Sequence, residues 1–342
     1  MTRPARGAGV AAIVAALALS GGPAPGAAQA PLFGADTAIA VTLRVDLGTL
    51  RSERDTARAA WLDATLAYAG PGGPVALPLK VRTRGMFRLL HCDFPPLRLR
   101  FDRAARGTPF AELRRPKLVT HCRDTDEYEQ YVLEEYAIYR ALNLLTPLSL
   151  SVGLLRIRYE DAAGAVRPVT RYAFVSEEPE QLARRLGVTL LTQPGARLAR
   201  LSRPNVALLG VFEYFVANID WSLQARHNVA LLTVRDTTLA VPYDFDWSGV
   251  IAAPYARPTP QVHVRSVRER RYLGYCQSPL DFETVLARFE ALRDTIAALY
   301  RRVPGLTPGN VERTIRYYDE FYRTIADRPR FFRDVVERDC VT

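Results

Sequence analysis

The sequence lacks the signatures of several common enzyme classes. It contains no G-x-S-x-G turn around a serine and no H-E-x-x-H motif, so it gives little support to a serine hydrolase or a zinc protease. It has no internal repeat and no low-complexity tract after its first 30 residues. Lysine is scarce, since arginine dominates the 46 basic residues and only Lys80 and Lys117 are lysines. A lysine with a specific role is therefore easy to single out.

Long hydrophobic runs are absent after the N-terminal segment, so no later transmembrane helix is expected. Arg3 and Arg6 precede an uncharged apolar stretch from Gly7 to Ser20, and Ala28-Gln29-Ala30 matches the small-residue pattern of signal peptidase sites. The apolar stretch is too short to span a bilayer. The pattern predicts a signal peptide over residues 1–30, and hence a secreted or periplasmic protein with no membrane span after cleavage.

The chain has four cysteines, which are Cys92, Cys122, Cys276 and Cys340. An even number in an exported protein favours disulfides. Three pairings are possible, and Cys92–Cys122 with Cys276–Cys340 keeps each bridge within one region of the chain. The alternative is a metal site, because His91-Cys92 and His121-Cys122 repeat a His-Cys pair. Neighbouring residues cannot easily bind one ion together, so disulfides are favoured.

The formal net charge of +10 suits an acidic or phosphorylated partner. The basic residues are scattered rather than interleaved with aromatic residues, and no nucleic-acid-binding motif is present. A nucleic-acid partner is therefore not expected.

Hydrophobic periodicity predicts an α+β fold. Residues 31–176 contain mostly strands that alternate between apolar and polar positions, with one long helix over Asp126–Leu145. Residues 177–342 are mainly helical, apart from a pair of strands over Asn228–Val234 and Thr238–Val241. We therefore expect a β-rich N-terminal lobe and a mainly helical C-terminal lobe that carries the candidate site.

Two carboxylates follow the second of these strands. Asp244 and Asp246 are one residue apart, so strand geometry would place them on one face with Phe245 packed behind. Like charges so placed repel each other, and Mg²⁺ or Mn²⁺ prefers oxygen ligands. The alternative is an ordinary solvated acidic turn, for which Asp-x-Asp is common.

A second polar cluster lies upstream, where Asn218-Ile219-Asp220 ends a predicted helix and Asn228 begins the strand pair. These elements would bring Asp220, Asn228, Asp244 and Asp246 to one edge. Phosphoryl transfer uses such groups, because one carboxylate orients the acceptor while an amide and a carboxylate hold a metal. Taken singly, each of these residues is equally typical of helix ends and strand starts.

The arrangement resembles the CotH-type spore-coat kinase family of atypical, protein-kinase-like proteins. The matching segments are Asn218-Ile219-Asp220, Asn228, Asp244-Phe245-Asp246 with Gly249, Arg84-Gly85, and the strand from Tyr172 to Glu177. The resemblance covers roughly Val81 to Gly249. It implies a two-lobed kinase-like fold, with Mg or Mn and ATP as cofactors.

The resemblance also implies a role for each matching residue. Asp220 would be the catalytic carboxylate, and Asn228, Asp244 and Asp246 would hold the metal. Arg84, Lys117 and Glu177 would bind the nucleotide. Lys117 is the candidate phosphate-binding lysine, with Glu135 as its helix partner and Glu134 as the second choice.

The leading hypothesis is an exported atypical kinase-like protein that binds Mg or Mn and a nucleotide and transfers phosphate to a protein or envelope acceptor. The first alternative is a non-catalytic, disulfide-stabilised envelope protein for binding or assembly, similar to a pseudokinase. A weaker alternative is a metal-dependent phosphoesterase that uses the same carboxylates.

Overall fold

A computed structural model describes residues 32–33, 35–101, 105–192, 200–258 and 262–341. The predicted signal peptide over residues 1–30 lies outside the described residues. Within the described ranges, no helix combines the length and the apolar character needed to cross a membrane.

Seven strands form a closed barrel with the order β1-β2-β3-β4-β5-β7-β6. They are β1 (Ile39–Val45), β2 (Leu62–Gly70), β3 (Gly73–Thr83), β4 (Leu97–Arg100), β5 (Lys117–Val119), β6 (Val152–Asp161) and β7 (Val169–Ser176). Neighbouring strands are antiparallel except β1 and β6, which run parallel from Ile39↔Leu155 to Val45↔Asp161 and close the barrel.

Alternation along the strands explains the barrel interior. Val41, Leu43 and Val45 of β1 are buried, as are Leu79 and Val81 of β3, and the residues between them are more exposed. Apolar side chains at every second position point to one face of a strand. Closing the sheet brings these faces together in one hydrophobic cluster.

The barrel corrects the fold predicted from the resemblance. The α+β class is right, because helices accompany the sheet, but the two-lobed kinase-like architecture is wrong. The finding that overturns it is the pairing of β1 with β6, since this pairing makes a closed barrel of the N-terminal strands. Parallel pairing across more than a hundred residues leaves no local signal in the sequence.

The predicted long helix is confirmed as α3 (Asp126–Leu145). Thr125 caps its first turn by accepting a hydrogen bond from the Tyr128 amide at 3.3 Å. The helix covers β6 and β7 from outside, so β7 is buried on both faces: Val175 faces the barrel interior and Phe174 packs with the α3 residues.

The second half of the chain holds the remaining elements. They are α4 (Pro179–Leu186), β8 (Thr189–Leu190), α5 (Arg203–Val216), β9 (Val229–Val234), β10 (Thr237–Pro242), α6 (Pro279–Arg302), α7 (Pro308–Ala326), α8 (Arg328–Phe331), a π-helical turn (Phe332–Val336) and α9 (Glu337–Asp339). The shorter helices α1 (Leu47–Ser52) and α2 (Phe87–His91) belong to the first half. Strands β8, β9 and β10 form a small antiparallel sheet. The predicted strand pair is confirmed as β9 and β10.

Both favoured disulfides are present, Cys92–Cys122 and Cys276–Cys340. The first joins the end of α2 to the segment after β5, and the second joins the segment before α6 to the residue after α9. Because the four sulfur atoms are bonded in two pairs, none of them is a free thiolate that could bind a metal. The alternative His-Cys metal site therefore does not form. The disulfides are compatible with an extracellular or periplasmic location.

Gly249 lies at a close approach of three segments. Its amide donates to the Ala217 carbonyl at 2.8 Å. A Cβ atom at this position would be 2.1 Å from the Val267 carbonyl oxygen and 2.9 Å from the Ala217 Cβ. The loop after β10 can therefore reach the end of α5 only if residue 249 has no side chain.

We expect Gly249→Ala to lower the free energy of unfolding by about 1–3 kcal/mol, because the added methyl group must displace backbone atoms. Urea denaturation of the purified protein measures this. Gly309→Ala is the matched control, because nothing lies within 4 Å of a Cβ at that position in α7. Equal stabilities of the Gly249→Ala and Gly309→Ala variants would contradict the close-approach argument.

A buried carboxyl joins α3 to α7. Glu134 is 1% exposed and accepts hydrogen bonds from Arg313 Nη2 at 2.5 Å and from Thr314 Oγ1 at 3.3 Å. Burial raises the pKa of Glu134 to about 7, although Arg313 acts in the opposite direction. The folded protein therefore holds a proton at Glu134 that the unfolded chain releases near its ordinary pKa.

We expect Glu134→Gln to gain stability relative to the wild type as pH rises from 5 to 8. A carboxyl with a raised pKa stabilises the fold below its unfolded pKa, and this contribution is lost as pH rises through about 7, by about 1–3 kcal/mol. Urea denaturation at several pH values gives the difference between variant and wild type. Glu312→Gln, at an exposed carboxylate on α7, should give a constant difference. A constant difference for Glu134→Gln as well would refute the burial argument.

Candidate functional site

The candidate site lies where the chain leaves β10 and meets α3 and the end of β3. Asp244 has a left-handed backbone with φ of 68°, and its amide donates to the Tyr139 hydroxyl oxygen at 2.8 Å. Phe245 is fully buried against Tyr139 and Phe212, at ring-centroid distances of 4.8 and 5.6 Å. The aromatic anchor fixes the turn, so the two carboxylates on either side of it have defined positions.

Two carboxylates are buried behind this turn. Glu135 of α3 is 2% exposed and Asp246 is 9% exposed, and the negative charge of Asp246 acts on Glu135. Burial raises the pKa of Asp246 to about 7, with the charge of Asp244 as the second cause. Burial and the charges of Asp246 and Asp244 also raise the pKa of Glu135 well above its ordinary value. Burial at this site therefore favours protonation of Asp246 and Glu135, and a nearby cation would favour their charged forms.

Arg88 and Tyr255 hold Asp246. Arg88 Nη1 lies 3.9 Å from the Asp246 carboxylate, and the Tyr255 hydroxyl donates a hydrogen bond to it. Arg88 is also one of the cations whose charge acts on Glu135, together with Arg84. The two arginines thus offset part of the repulsion among the carboxylates.

Arg84 and Lys117 form the cationic side of the site. Both are half-buried, and Asp244 is the carboxylate that acts most strongly on each. The Lys117 Nζ lies 4.7 Å from the centroid of the Tyr243 ring. Burial lowers the pKa of Lys117, with the charge of Arg84 as the second cause. An added anion at this point would relieve the repulsion between the two cations.

Among the described residues, Lys117 and Glu135 do not form the ion pair that the resemblance implies. Glu135 faces Arg84 and Arg88 instead, and Lys117 faces Asp244 and Glu178. The second choice, Glu134, points to α7, as described above. Of the two neighbouring glutamates, Glu135 is therefore the one at the site.

Asp220 lies in the loop after α5. Its carboxylate contacts His227 Nε2 at 3.0 Å and accepts from Asn228 Nδ2 at 3.1 Å. Asn228 Nδ2 also donates to the Asp220 carbonyl at 2.7 Å, and Asn218 Oδ1 accepts from the Asp220 amide at 3.0 Å. The charge of Asp220 acts on Asp246, so the loop faces the same site.

Glu177 lies elsewhere. It accepts from Arg185 Nε and Nη2 at 2.9 Å each, and from the Ser151 amide at 2.9 Å. These contacts join α4 to the start of β6. The structure thus brings together Arg84, Lys117, Glu135, Asp220, Asn228, Asp244 and Asp246, and leaves Glu177 outside the group. Its nucleotide-binding role remains a prediction from the resemblance.

The oxygen donors suit a cation bound together with phosphate rather than an all-protein cage. No group of three or more His, Cys, Asp or Glu side chains is arranged to hold a metal ion among the described residues. Mg²⁺ needs only one or two carboxylates when phosphates and water supply its other ligands. Glu135 Oε1 is buried without a hydrogen-bond partner. A metal role for Asp244 and Asp246 stays a prediction.

Arg88 and Tyr255 were missed in the sequence. Arg88 lies in α2, whose five residues are too few to give a periodic signal in the sequence. Tyr255 carries no signal, because the chain folds back from Asp246 through an irregular loop to place it.

No protein-family model matches this chain, and a search of curated proteins finds no matching sequence.

Proposed function

We propose that the protein binds a nucleoside triphosphate together with Mg²⁺ or Mn²⁺ and transfers its terminal phosphoryl group to a protein or cell-envelope acceptor. The supporting observation is the convergence of Arg84 and Lys117 on Asp244, next to the buried carboxylates Asp246 and Glu135. Because the N-terminal strands form a closed barrel, a kinase-like fold does not support this proposal. The proposal depends on these side chains alone.

Each side of the site has one task in this proposal. Arg84 and Lys117 contact phosphate oxygens, the arginine through its planar fork and the lysine as a point charge. Asp244 and Asp246 hold the cation, which neutralises charge on the phosphates. Glu135 keeps Arg84 and Arg88 in place from behind. The half-buried positions of Arg84, Lys117 and Asp244 keep them within reach of a ligand from solvent.

Asp220 receives the proton of the acceptor. His227 and Asn228 orient its carboxylate. A general base needs such a fixed position to lie within hydrogen-bond distance of the proton that it accepts. A bond forms between the acceptor oxygen and the terminal phosphorus while the bridging bond to the nucleoside diphosphate breaks. The hydroxyl proton passes to the Asp220 carboxylate.

Export is part of the proposal. The two disulfides and the signal-like N-terminal sequence support a secreted or periplasmic protein. The acceptor would then be a protein or polymer of the cell envelope.

We expect ATP with Mg²⁺ to raise the stability of the wild-type protein by about 2.7 kcal/mol at a ligand concentration of a hundred times Kd. Asp244→Asn should abolish the increase, because it removes the carboxylate that is proposed to hold the metal and that acts on Arg84 and Lys117. Asparagine tolerates the left-handed backbone of this position, so the fold should be kept. Thermal unfolding with Mg²⁺ alone, ATP alone and both ligands measures the effect.

Asp236→Asn is the control, since Asp236 lies in the exposed turn between β9 and β10 and pairs with Arg200. It should respond to Mg²⁺ and ATP as the wild type does. A wild-type protein without any response would disprove nucleotide binding. A response without phosphoryl transfer would leave a non-catalytic binding protein, and phosphate release from an ester without nucleotide would identify a phosphoesterase.

A further inference from the structure

The outer face of the barrel over β3, β4 and β5 carries a row of cations. Leu79 and Val81 of β3 point into the barrel, so Lys80 and Arg82 between and after them point outward. The same alternation places Arg98 and Arg100 of β4 outside, since Leu97 and Leu99 are buried. We call this surface, formed by Lys80, Arg82, Arg84, Arg98, Arg100 and Lys117, the cationic face.

The strand register sets like charges directly opposite each other. Lys80 is opposite Arg100, Arg82 is opposite Arg98, and Arg98 is opposite Lys117. Like charges in directly opposed positions destabilise a sheet. Three such pairs on adjoining strands lower the stability of the sheet. Replacing one cation of a pair by threonine would remove the repulsion in that pair.

Carboxylates on the described residues offset part of this charge, and Asp244 acts on Arg84 and Lys117. Asp63 pairs with Lys80 at 2.6 Å, and Glu178 pairs with Arg98 at 3.3 Å. The guanidinium carbons of Arg82 and Arg100 each lie 4.8 Å from the Trp61 ring centroid. The ring therefore holds two guanidinium groups in place. The Arg82 Nε atom is buried without a hydrogen-bond partner.

The rest of the barrel does not repeat this pattern at its other arginine pair. Arg156 and Arg158 of β6 lie opposite Tyr172 and Thr170 of β7, and opposite Ala40 and Thr42 of β1. Arg158 pairs with Glu160 at 2.7 Å, and Arg156 lies 5.8 Å from the Tyr172 ring. The crowding of cations is thus a property of β3, β4 and β5 rather than of the whole arginine-rich surface.

We propose that the cationic face binds a linear phosphate polymer. Its cations are spaced about 6.8 Å along a strand and about 4.8 Å between strands, so together they suit a chain of charges rather than one ion. Arginine forks match phosphate oxygens in pairs. The choice of phosphate over carboxylate draws on the proposed function, because Lys117 and Arg84 belong both to this face and to the candidate phosphoryl site. A bound polymer would have one end beside Asp244.

We test this with medium-chain inorganic polyphosphate as the probe, without nucleotide or metal, in a titration at several salt concentrations. Polyphosphate should bind the full chain more tightly at low salt, since charge contacts are screened as salt rises. The double variant Lys80→Gln/Arg82→Gln should weaken binding about tenfold or more. Orthophosphate should compete poorly, because only a polymer engages several cations at once.

The control is Arg156→Gln/Arg158→Gln, which also removes two positive charges from outward positions of one strand. It releases Glu160 from Arg158, as the Lys80→Gln/Arg82→Gln variant releases Asp63 from Lys80. It should leave polyphosphate binding within about twofold of wild type, since at physiological salt charges beyond about 8 Å are largely screened. Equal losses in the two double variants would overturn the proposal, because binding would then follow net charge alone. Poly-L-glutamate binding as tightly as polyphosphate would overturn the assignment to phosphate.

Failure of this inference is separable from failure of the proposed function. If ATP and Mg²⁺ do not stabilise the wild type but polyphosphate binding depends on Lys80 and Arg82, the cationic face is a polymer site and nucleotide binding is disproved. If the nucleotide response is present and polyphosphate does not bind, the cationic face is not a polymer site.

Discussion

The structure around the candidate site depends on one electrostatic constraint, the burial of Glu135 and Asp246 next to each other. Two carboxylates in a poorly hydrated place cannot both keep their charge without help: burial raises the pKa of both, the charge of Asp246 raises that of Glu135 further, and the charge of Asp244 raises both. Arg84 and Arg88 provide that help, and they come from the end of β3 and from α2. The barrel must therefore lie against α3 and the loop after β10 for the charges to be tolerated. The Cys92–Cys122 disulfide fixes the segment after α2 in this position.

Sequence patterns predicted the elements whose determinants are local. The α3 helix follows from apolar spacing and an acidic first turn, and the β9–β10 pair follows from alternation on either side of a short turn. The disulfide pairing followed from keeping each bridge within one region. Barrel closure could not be predicted, because the pairing of β1 with β6 depends on residues more than a hundred positions apart. The kinase-like resemblance named residues that the fold brings close together, apart from Glu177, but it implied the wrong architecture, since side-chain spacing in a loop does not specify how distant strands meet.

The candidate site shows the same division. Asp244 and Asp246 could be found as a pair, and Asp220 and Asn228 could be found near them, because these residues flank two consecutive strands. Their cationic counterparts could not all be found. Lys117 stood out through the rarity of lysine, whereas Arg88 was hidden among many arginines and is distinguished only by its contact with Asp246. In an arginine-rich chain, composition conceals the arginines at the site, and only their contacts in the folded protein distinguish them.

Several costs to stability coincide at one end of the barrel. Asp244 adopts a left-handed backbone, which is unfavourable for most side chains and less so for aspartate and asparagine. Buried carboxylates repel each other a few residues away, and like-charged pairs line β3, β4 and β5. A sequence under selection for stability alone would remove such features one at a time, since each has a simple replacement. Under the proposed function, anion and cation binding rather than folding would maintain these features.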